Sequence, residues 1–290
     1  MNPQWENLVS ESQFATELAV TGLRRLCTVE VGAWGAGTSI SYDQSYPLHA
    51  GLLSFTSGLE RLCKLTIACH GYLTSGTFPP LKGYGHRISR LLNSVGRLDL
   101  STIEAAADHP PAQPDSELDP ELTELLDRYA NGAGRYEHLD SLSSVDAVVG
   151  THQTWSALAS RSTVSGHVKE MLAIRSATVA AIREVCTEGD IESAAYSLLD
   201  SIDDRLNEAS IGVALEMYRK ASWAAAYLNF LTYYTRRDLP ILGEAVQDLG
   251  PSADEFFQYA VATVEDEHIA AEELQAYFQR RPEPSEDDDF

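Results

Sequence analysis

The sequence has little positive charge. Its 290 residues include 21 Lys and Arg against 43 Asp and Glu, which gives a formal net charge of −22. A surface with this balance repels phosphate backbones at long range, which excludes broad binding of nucleic acid over the whole surface. A small basic pocket stays compatible with the composition, because salt screens charges in a cleft less than charges on an open surface.

Long hydrophobic runs are absent as well. No window approaches the ~18 uninterrupted apolar residues of a membrane span. The first residues, MNPQWENLVSESQF, have neither the basic part nor the apolar part of a signal peptide. We therefore expect a cytoplasmic protein with no membrane partner. The 44% of hydrophobic residues is enough to bury a core without a disulfide or metal staple.

Cysteine is scarce, and no pair has CxxC spacing. Because zinc needs clustered ligands at short spacing, we expect small buried hydrophobic side chains in a reducing compartment instead. Glu265 and His268 have the Glu-x-x-His spacing that di-iron helix bundles use in two copies from different helices. The sequence has no second copy, so we expect this pair to lie on a solvated helix face. P-loop, GxSxG, HExxH and dinucleotide-binding patterns are absent, and we expect no cofactor and no metal. The cysteines are Cys27, Cys63, Cys69 and Cys186.

Apolar residues recur at helical spacing along most of the chain, and no alternating strand pattern of useful length occurs. The sequence therefore predicts an all-α multi-helix bundle. A short extended piece is predicted within 38–46, between glycine-rich and proline-containing segments. The predicted helices span about 3–31, 48–73, 86–95, 120–130, 145–186 with a break at 160–166, 190–206, 211–236, 238–249 and 252–281.

The chain divides near Gly189. Before it, long glycine- and proline-rich loops interrupt the helices, and after it the helices follow one another closely. We expect a helical domain at 1–188, a C-terminal helical region at 189–281 and a tail at 282–290. That tail, PEPSEDDDF with Arg281 before it, is too acidic and too rich in proline to fold alone.

Charged side chains interrupt the apolar helix 48–73. Glu60 and Lys64 have the favourable i, i+4 order, which alone predicts a solvated pair. His70 falls on the apolar stripe and predicts a hydrogen-bonded core histidine, whereas Arg61 is expected to point into solvent. His86 is placed in the first turn of the next helix, where it acts as a cap or as a neutral donor and acceptor.

We expect Asp119 to be the N-cap of a helix that begins at the next residue. A tight turn follows this helix. The helix stops at Asn131 and Gly132, which suit a left-handed cap. Beyond it, the segment GRYEHLDSL places Arg135 and His138 close together in sequence. These residues are unremarkable alone, and the order of the charged segments is what suggests a shared site.

The segments GLERLCKL, GHRISRLL and GRYEHLDSL resemble those of the HEPN superfamily, a group of helical bundles that includes many bacterial toxins and RNases of host-defence and toxin–antitoxin loci. The resemblance covers about 48–186. It implies a HEPN-like bundle with a C-terminal helical extension, and it implies side chains that brace or line a cleft. Those side chains are Glu60, Lys64, His86, Arg135 and His138.

Catalytic members of that superfamily carry an arginine followed after four to six residues by a histidine. Arg161 and His167 match, with five residues between them, although Ser162 stands where members often have Asn, Asp or His. The resemblance implies a metal-independent endoribonuclease in which the arginine holds the phosphate and the histidine transfers a proton. It also implies a homodimer, an RNA substrate, and a protein partner such as an antitoxin or another defence component.

This pairing depends on the backbone. On a straight helix, Arg161 and His167 would lie about 120° apart. They can converge only where the chain bends, and Ser165 is a plausible cap for a new helix after such a bend.

Two alternatives remain open. The first is a non-catalytic helical interaction module or scaffold that holds a partner helix in an apolar groove, with Arg161 and His167 in structural roles. The second is a bundle that senses a small ligand through the aromatic helix 211–236. The helical spacing of Trp223, Tyr227, Phe230 and Tyr234 favours a place in the core for that helix instead.

Overall fold

The computed structural model describes residues 3–31, 42–101, 112–140, 142, 150–187, 206–234 and 239–262. Within these ranges the protein is helical and has no strand, which confirms the predicted all-α class. Short 3₁₀-helices occur at Leu81–Tyr84 and Glu244–Leu249, and a π-helical turn at Phe257–Ala262. The α-helices are α1 Pro3–Cys27, α2 Tyr42–Ser75, α3 Ile88–Gly96, α4 Asp119–Ala130, α5 Glu137–Asp140, α6 Thr151–Ala159, α7 Gly166–Thr187, α8 Glu208–Tyr234 and α9 Ala253–Phe256.

Helix α2 is longer than its sequence predicts. The extended piece expected within 38–46 is wrong from Tyr42 onward, because α2 begins there and includes Pro47. Leu48 and Leu52 follow on the same helix and are fully buried. Packing of this apolar face outweighs the local preference of proline to interrupt a helix.

Helices α1 and α2 approach each other backbone to backbone. A Cβ on Gly58 would lie 2.6 Å from the Ala15 carbonyl oxygen, and a Cβ on Gly22 would lie 2.5 Å from the Phe55 nitrogen. Neither position can hold a side chain without moving the partner helix. The two glycines therefore set the distance between the helices that carry most of the site described below.

Helix α8 packs against both α1 and α2. The Trp155 indole on α6 donates to the Ser210 hydroxyl on α8 at 2.9 Å, and Ser210 donates to the Val29 carbonyl at 2.6 Å. Trp223 and Tyr227 are buried in the same core, as their spacing predicts. One hydrophobic core therefore joins α8 to the first two helices.

Three cysteines lie in this core as free thiols. Burial raises the pKa of Cys27, Cys63 and Cys69 to about 12, which keeps them protonated and unreactive. In the described part of the chain, no cluster of His, Cys, Asp or Glu is suited to hold a metal ion. The helices described there also include none with the length and apolarity that a membrane crossing requires.

The start of α4 differs from the prediction. Leu118 occupies the N-cap position, and Asp119 is the first residue of the helix. The Asp119 carboxylate instead pairs with Lys220 of α8, whose side chain is buried. A buried ammonium requires a compensating charge, and this requirement takes the carboxylate away from the helix end.

Several predicted features lie outside the described residues. These are the boundary near Gly189, the tail 282–290, the Glu265 and His268 pair, and the side chains of Cys186 and His138.

Candidate functional site

Charged side chains from four separate segments line a cavity of about 390 Å³, here called the charged cavity. Its walls come from α1, α2, the turn at Leu81–Tyr84 with the residues after it, and the turn between α4 and α5. Four of the five residues expected to brace or line a cleft are among its lining. The ionisable residues of the cavity are Glu11, Glu60, Arg61, Lys64, His86 and Arg135.

Glu60 is the central acceptor of the charged cavity. Its Oε1 accepts from Lys64 Nζ at 2.7 Å and from His86 Nδ1 at 2.9 Å. The side chains of Glu60 and Lys64 are only 14% and 18% exposed. The expected solvated pair is therefore wrong, because the turn after α2 folds over the pair and adds His86 as a third member.

A short extended connection positions His86. Gly85 has a φ of +70°, a conformation that other residues rarely adopt, and Arg87 is extended before α3 starts at Ile88. His86 thus precedes the helix and is not in its first turn as predicted. Its side chain is 65% exposed. When Nδ1 carries the proton donated to Glu60, Nε2 is left as an acceptor.

Arg135 enters the cavity from the turn after α4. Gly132 has a φ of +96°, which confirms the predicted left-handed position at the helix end. Arg135 Nε donates to the Tyr129 carbonyl at 2.8 Å, and this bond fixes the base of the guanidinium. No carboxylate among the described residues pairs with Arg135, so its terminal N–H groups remain for an acceptor in the cavity.

Arg61 lies at the edge of the cavity. It was expected to be solvated, and its side chain is 40% exposed, but its guanidinium also pairs with Glu11 and lies 4.9 Å from the centre of the Phe14 ring. Both partners belong to α1, so the contact links α1 to α2 beside the cavity. The cation–π contact and the ion pair together restrict where the guanidinium can point.

The charged cavity is locally basic in an acidic protein. Three cationic side chains, Arg61, Lys64 and Arg135, face the two carboxylates of Glu11 and Glu60, so the balance is positive even with neutral His86. The whole chain has a net charge of −22. This local reversal of sign makes an anion the best-matched ligand of the cavity.

Glu137 anchors the turn that carries Arg135. Its Oε1 accepts from the Thr151 backbone N–H at 2.9 Å at the start of α6, and Arg128 lies 3.6 Å from Oε2. Burial by itself would raise the pKa of Glu137, but the hydrogen bonds from Thr151 and the charge of Arg128 outweigh it and hold that pKa below its ordinary value. The sequence does not point to this carboxylate, because its partners come from distant helices.

A second polar group in the interior was also missed. The Tyr129 hydroxyl bonds His49 Nδ1, and the His49 and His152 rings meet edge to face at 5.4 Å. Burial raises the pKa of Tyr129 above its ordinary range. These residues lie on α2, α4 and α6, so only the tertiary structure brings them together.

The bend required between Arg161 and His167 is present. Helix α6 ends at Ala159 and α7 begins at Gly166. The Ser165 hydroxyl accepts from the Val168 N–H at 3.2 Å, which is the predicted cap. The Ser162 hydroxyl donates to the Ala209 carbonyl at 2.7 Å and ties the bend to α8.

The two predicted catalytic side chains lie away from the charged cavity. Arg161 pairs with Glu121 at the start of α4, and the two side chains are 46% and 55% exposed. His167 is exposed on the first turn of α7. Neither Arg161 nor His167 lines the charged cavity. The structure therefore contains two separate candidate sites.

His70 belongs to neither site. Its Nε2 donates to the Asp99 carbonyl at 2.7 Å. It is hydrogen-bonded as expected but only partly buried, because it lies near the end of α2.

Comparison of the chain with models of protein families, with curated proteins and with solved structures found no match, so the geometry of these two sites is the basis for assigning a function.

Proposed function

We propose that the protein is a HEPN-like, metal-independent endoribonuclease of a host-defence or toxin–antitoxin system, and that the charged cavity holds the RNA phosphate. The observation that supports this most is the convergence of the three resembling segments. GLERLCKL supplies Glu60 and Lys64, GHRISRLL follows with His86, and GRYEHLDSL supplies Arg135, all to one cavity. Chance similarity of three short segments gives no reason for such convergence.

The chemistry of the cavity suits cleavage of RNA by its own 2′-hydroxyl. Glu60 holds His86 through Nδ1, which leaves Nε2 to take the proton of the 2′-hydroxyl. The 2′-oxygen bonds to phosphorus, the bond from phosphorus to the 5′-oxygen breaks, and solvent protonates the departing oxygen. Arg135 and Lys64 stabilise the negative charge that develops on the phosphate.

Arg161 and His167 are the second candidate for the catalytic pair. The observation that favours them is the capped bend between α6 and α7, which removes the geometric objection of a straight helix. Their exposure suits a site completed by a second protomer. The proposal therefore includes a cytoplasmic homodimer, with an antitoxin or another defence component as a further partner.

The test is cleavage of a single-stranded RNA reporter by the full chain in the presence of EDTA. Products ending in a 2′,3′-cyclic phosphate are expected, and a DNA strand of the same sequence should stay intact because it lacks the 2′-hydroxyl. Loss of a general base lowers such rates by about 10²–10⁴-fold. We expect a loss of this size in His86→Asn, with the protein still fully folded under the assay conditions because the side chain is exposed.

The matched variants are Arg161→Ala and His167→Ala. Full activity in both, with loss in His86→Asn, supports the charged cavity as the site of chemistry. Loss of cleavage in both variants, with full activity in His86→Asn, assigns the catalytic pair to Arg161 and His167. A rate that no variant changes, or no cleavage at all, overturns the ribonuclease proposal and favours a non-catalytic interaction module.

A further inference from the structure

A second cavity adjoins the charged cavity. It has a volume of about 630 Å³ and lies between the first half of α1, the second half of α2 and the segment before the turn Leu81–Tyr84. It is here called the apolar cavity. Gly71 has no Cβ, and a Cβ there would lie 2.7 Å from the Pro79 ring, so this glycine lets the segment close against α2.

The two cavities share three lining residues, Glu11, Leu65 and Leu81. Arg61 also links them, because it lines the charged cavity while its guanidinium lies over Phe14 of the apolar cavity. A single ligand can therefore place an anionic group in one cavity and an apolar group in the other.

Aromatic rings give the apolar cavity flat surfaces. Phe14 lines it and is 48% exposed, although it sits on a helix whose other large apolar side chains are mostly buried. Phe78 lines it too, and the Tyr72 ring stacks on Phe78 with the two ring centres 4.7 Å apart. Phe14 is therefore an exposed aromatic ring suited to stacking with another aromatic ring, and the half-buried Phe78 lies in the same lining.

Polar side chains surround these rings at one edge. Gln4, Asn7 and Ser10, three successive turns on the exposed face of α1, line the apolar cavity beside Glu11. Amide and hydroxyl groups both donate and accept hydrogen bonds, as the edges of nucleobases require. An acyl chain would gain nothing from this polar edge, which distinguishes a nucleobase from a lipid tail.

We propose that the apolar cavity binds an unpaired nucleobase of a single RNA strand, stacked at Phe14 and Phe78, while the phosphate of the same nucleotide lies in the charged cavity. This inference rests on the proposed function, since it assumes that the anion is an RNA phosphate. It adds a preference for single-stranded RNA, because a base paired in a duplex cannot enter the cavity. It also gives an acidic protein a source of affinity that does not depend on overall charge.

The test is binding of a fluorescent 2′-O-methyl RNA hexamer, which the enzyme cannot cleave, to the full chain. Fluorescence anisotropy compares this strand with an abasic strand of the same length and charge. Stacking of a base adds enough affinity that removing the bases should weaken binding about tenfold or more. Phe14→Ala should weaken binding of the hexamer by a similar factor and change binding of the abasic strand far less, because Glu11 still pairs with Arg61.

Two further variants separate this inference from the proposed function. Asn7→Ala, on the exposed face of α1, should weaken binding of the hexamer only. Arg135→Ala should weaken binding of both strands by the same factor, because it removes a phosphate contact. Ile241→Ala is the control, since this exposed side chain lines neither cavity. It should bind both strands as the unchanged protein does.

Equal binding of both strands that depends on Arg135 but not on Phe14 would overturn the nucleobase inference and leave the phosphate site intact. Binding of neither strand would overturn the inference and the proposed function together. If the protein binds neither strand but decyl phosphate displaces an apolar fluorescent probe from it, the two cavities are assigned to an anionic amphiphile instead.

Discussion

The charged cavity and the bend between α6 and α7 both combine a cation with a histidine, but they differ in how firmly their side chains are held. In the cavity, Glu60 is largely buried and binds Lys64 and His86 through one oxygen. At the bend, Arg161 pairs with Glu121 in solvent, and His167 lies on an open helix turn. Catalytic groups work best when neighbouring residues fix their positions, so the cavity is the better organised of the two.

The two regions also differ in the backbone beneath them. The cavity lies along the contact of α1 with α2, where Gly22 and Gly58 leave no room for a side chain. The bend carries Gly166, around which an added Cβ would meet nothing within 4 Å. A substitution that tests the first region therefore has a matched control in the second.

Gly58→Ala is expected to have the largest effect. Its new methyl group would meet the backbone of Ala15 and Ala19, which cannot rotate away. Overpacking of this kind costs about 1–3 kcal/mol, and a contact with backbone places this case near 3 kcal/mol. Urea unfolding followed by circular dichroism measures the loss.

The control is Gly166→Ala, which should change the free energy of unfolding by no more than about 0.5 kcal/mol. If Gly58→Ala is as mild as Gly166→Ala, the close approach of α1 and α2 does not hold, and the cavity built along it loses its support.

Glu60→Gln is expected to have the next largest effect. It leaves the ammonium of Lys64, only 18% exposed, without its compensating charge. An uncompensated and partly buried charge of this kind costs about 2 kcal/mol. Glu121→Gln breaks the exposed pair with Arg161 and should cost less than about 0.5 kcal/mol.

Measurement at high salt separates the buried pair of Glu60 from the exposed pair of Glu121 further. The small effect of Glu121→Gln should vanish in 0.5 M NaCl (a test concentration), where the Debye length is about 4 Å, while the effect of Glu60→Gln persists. Equal effects in the two variants would contradict the difference in organisation between the sites.

Local pattern predicted much of this protein. Helical periodicity indicated the all-α class, and the Ser, Thr and Gly residues at 160–166 indicated the break between α6 and α7 with Ser165 as its cap. The i, i+4 spacing of Glu60 and Lys64 predicted their contact. Each of these features depends on residues that are close in sequence, which is why local sequence patterns predict them.

The remainder of the site depends on residues that are distant in sequence. The sequence indicated that Arg61 is exposed but not that Glu11 and Phe14 of α1 contact it. It predicted Asp119 as a helix cap, whereas Asp119 pairs with Lys220 of α8. In each case the partner comes from another helix. The apolar cavity could not be predicted at all, because its exposed helix residues gain a concave arrangement only when the segment before Leu81 folds back.

Glu137→Gln tests how the turn that carries Arg135 is held, and a cost of about 1.5 kcal/mol is expected at pH 7. The pKa of Glu137 in the folded protein is below its ordinary value, so its carboxylate stabilises the fold above the ordinary carboxyl pKa of about 4.3. That contribution is lost as the pH falls through the folded pKa. Urea unfolding at several pH values should show that the difference in free energy of unfolding between the unchanged protein and Glu137→Gln becomes smaller in acid. A difference that does not depend on pH would assign the effect to packing.

His86→Ala and His167→Ala are expected to have the smallest effects and compare the two candidate bases directly. His86 loses a hydrogen bond to a carboxylate, but 65% exposure of its side chain reduces the cost to about 1 kcal/mol. His167 is exposed on α7, so its removal should stay within the roughly 0.5 kcal/mol typical of surface positions. Thermal unfolding of both variants with the unchanged protein resolves the order. A larger cost for His167 would mean that the bend, not the cavity, holds the more firmly positioned imidazole, and it would reverse the ranking of the two sites.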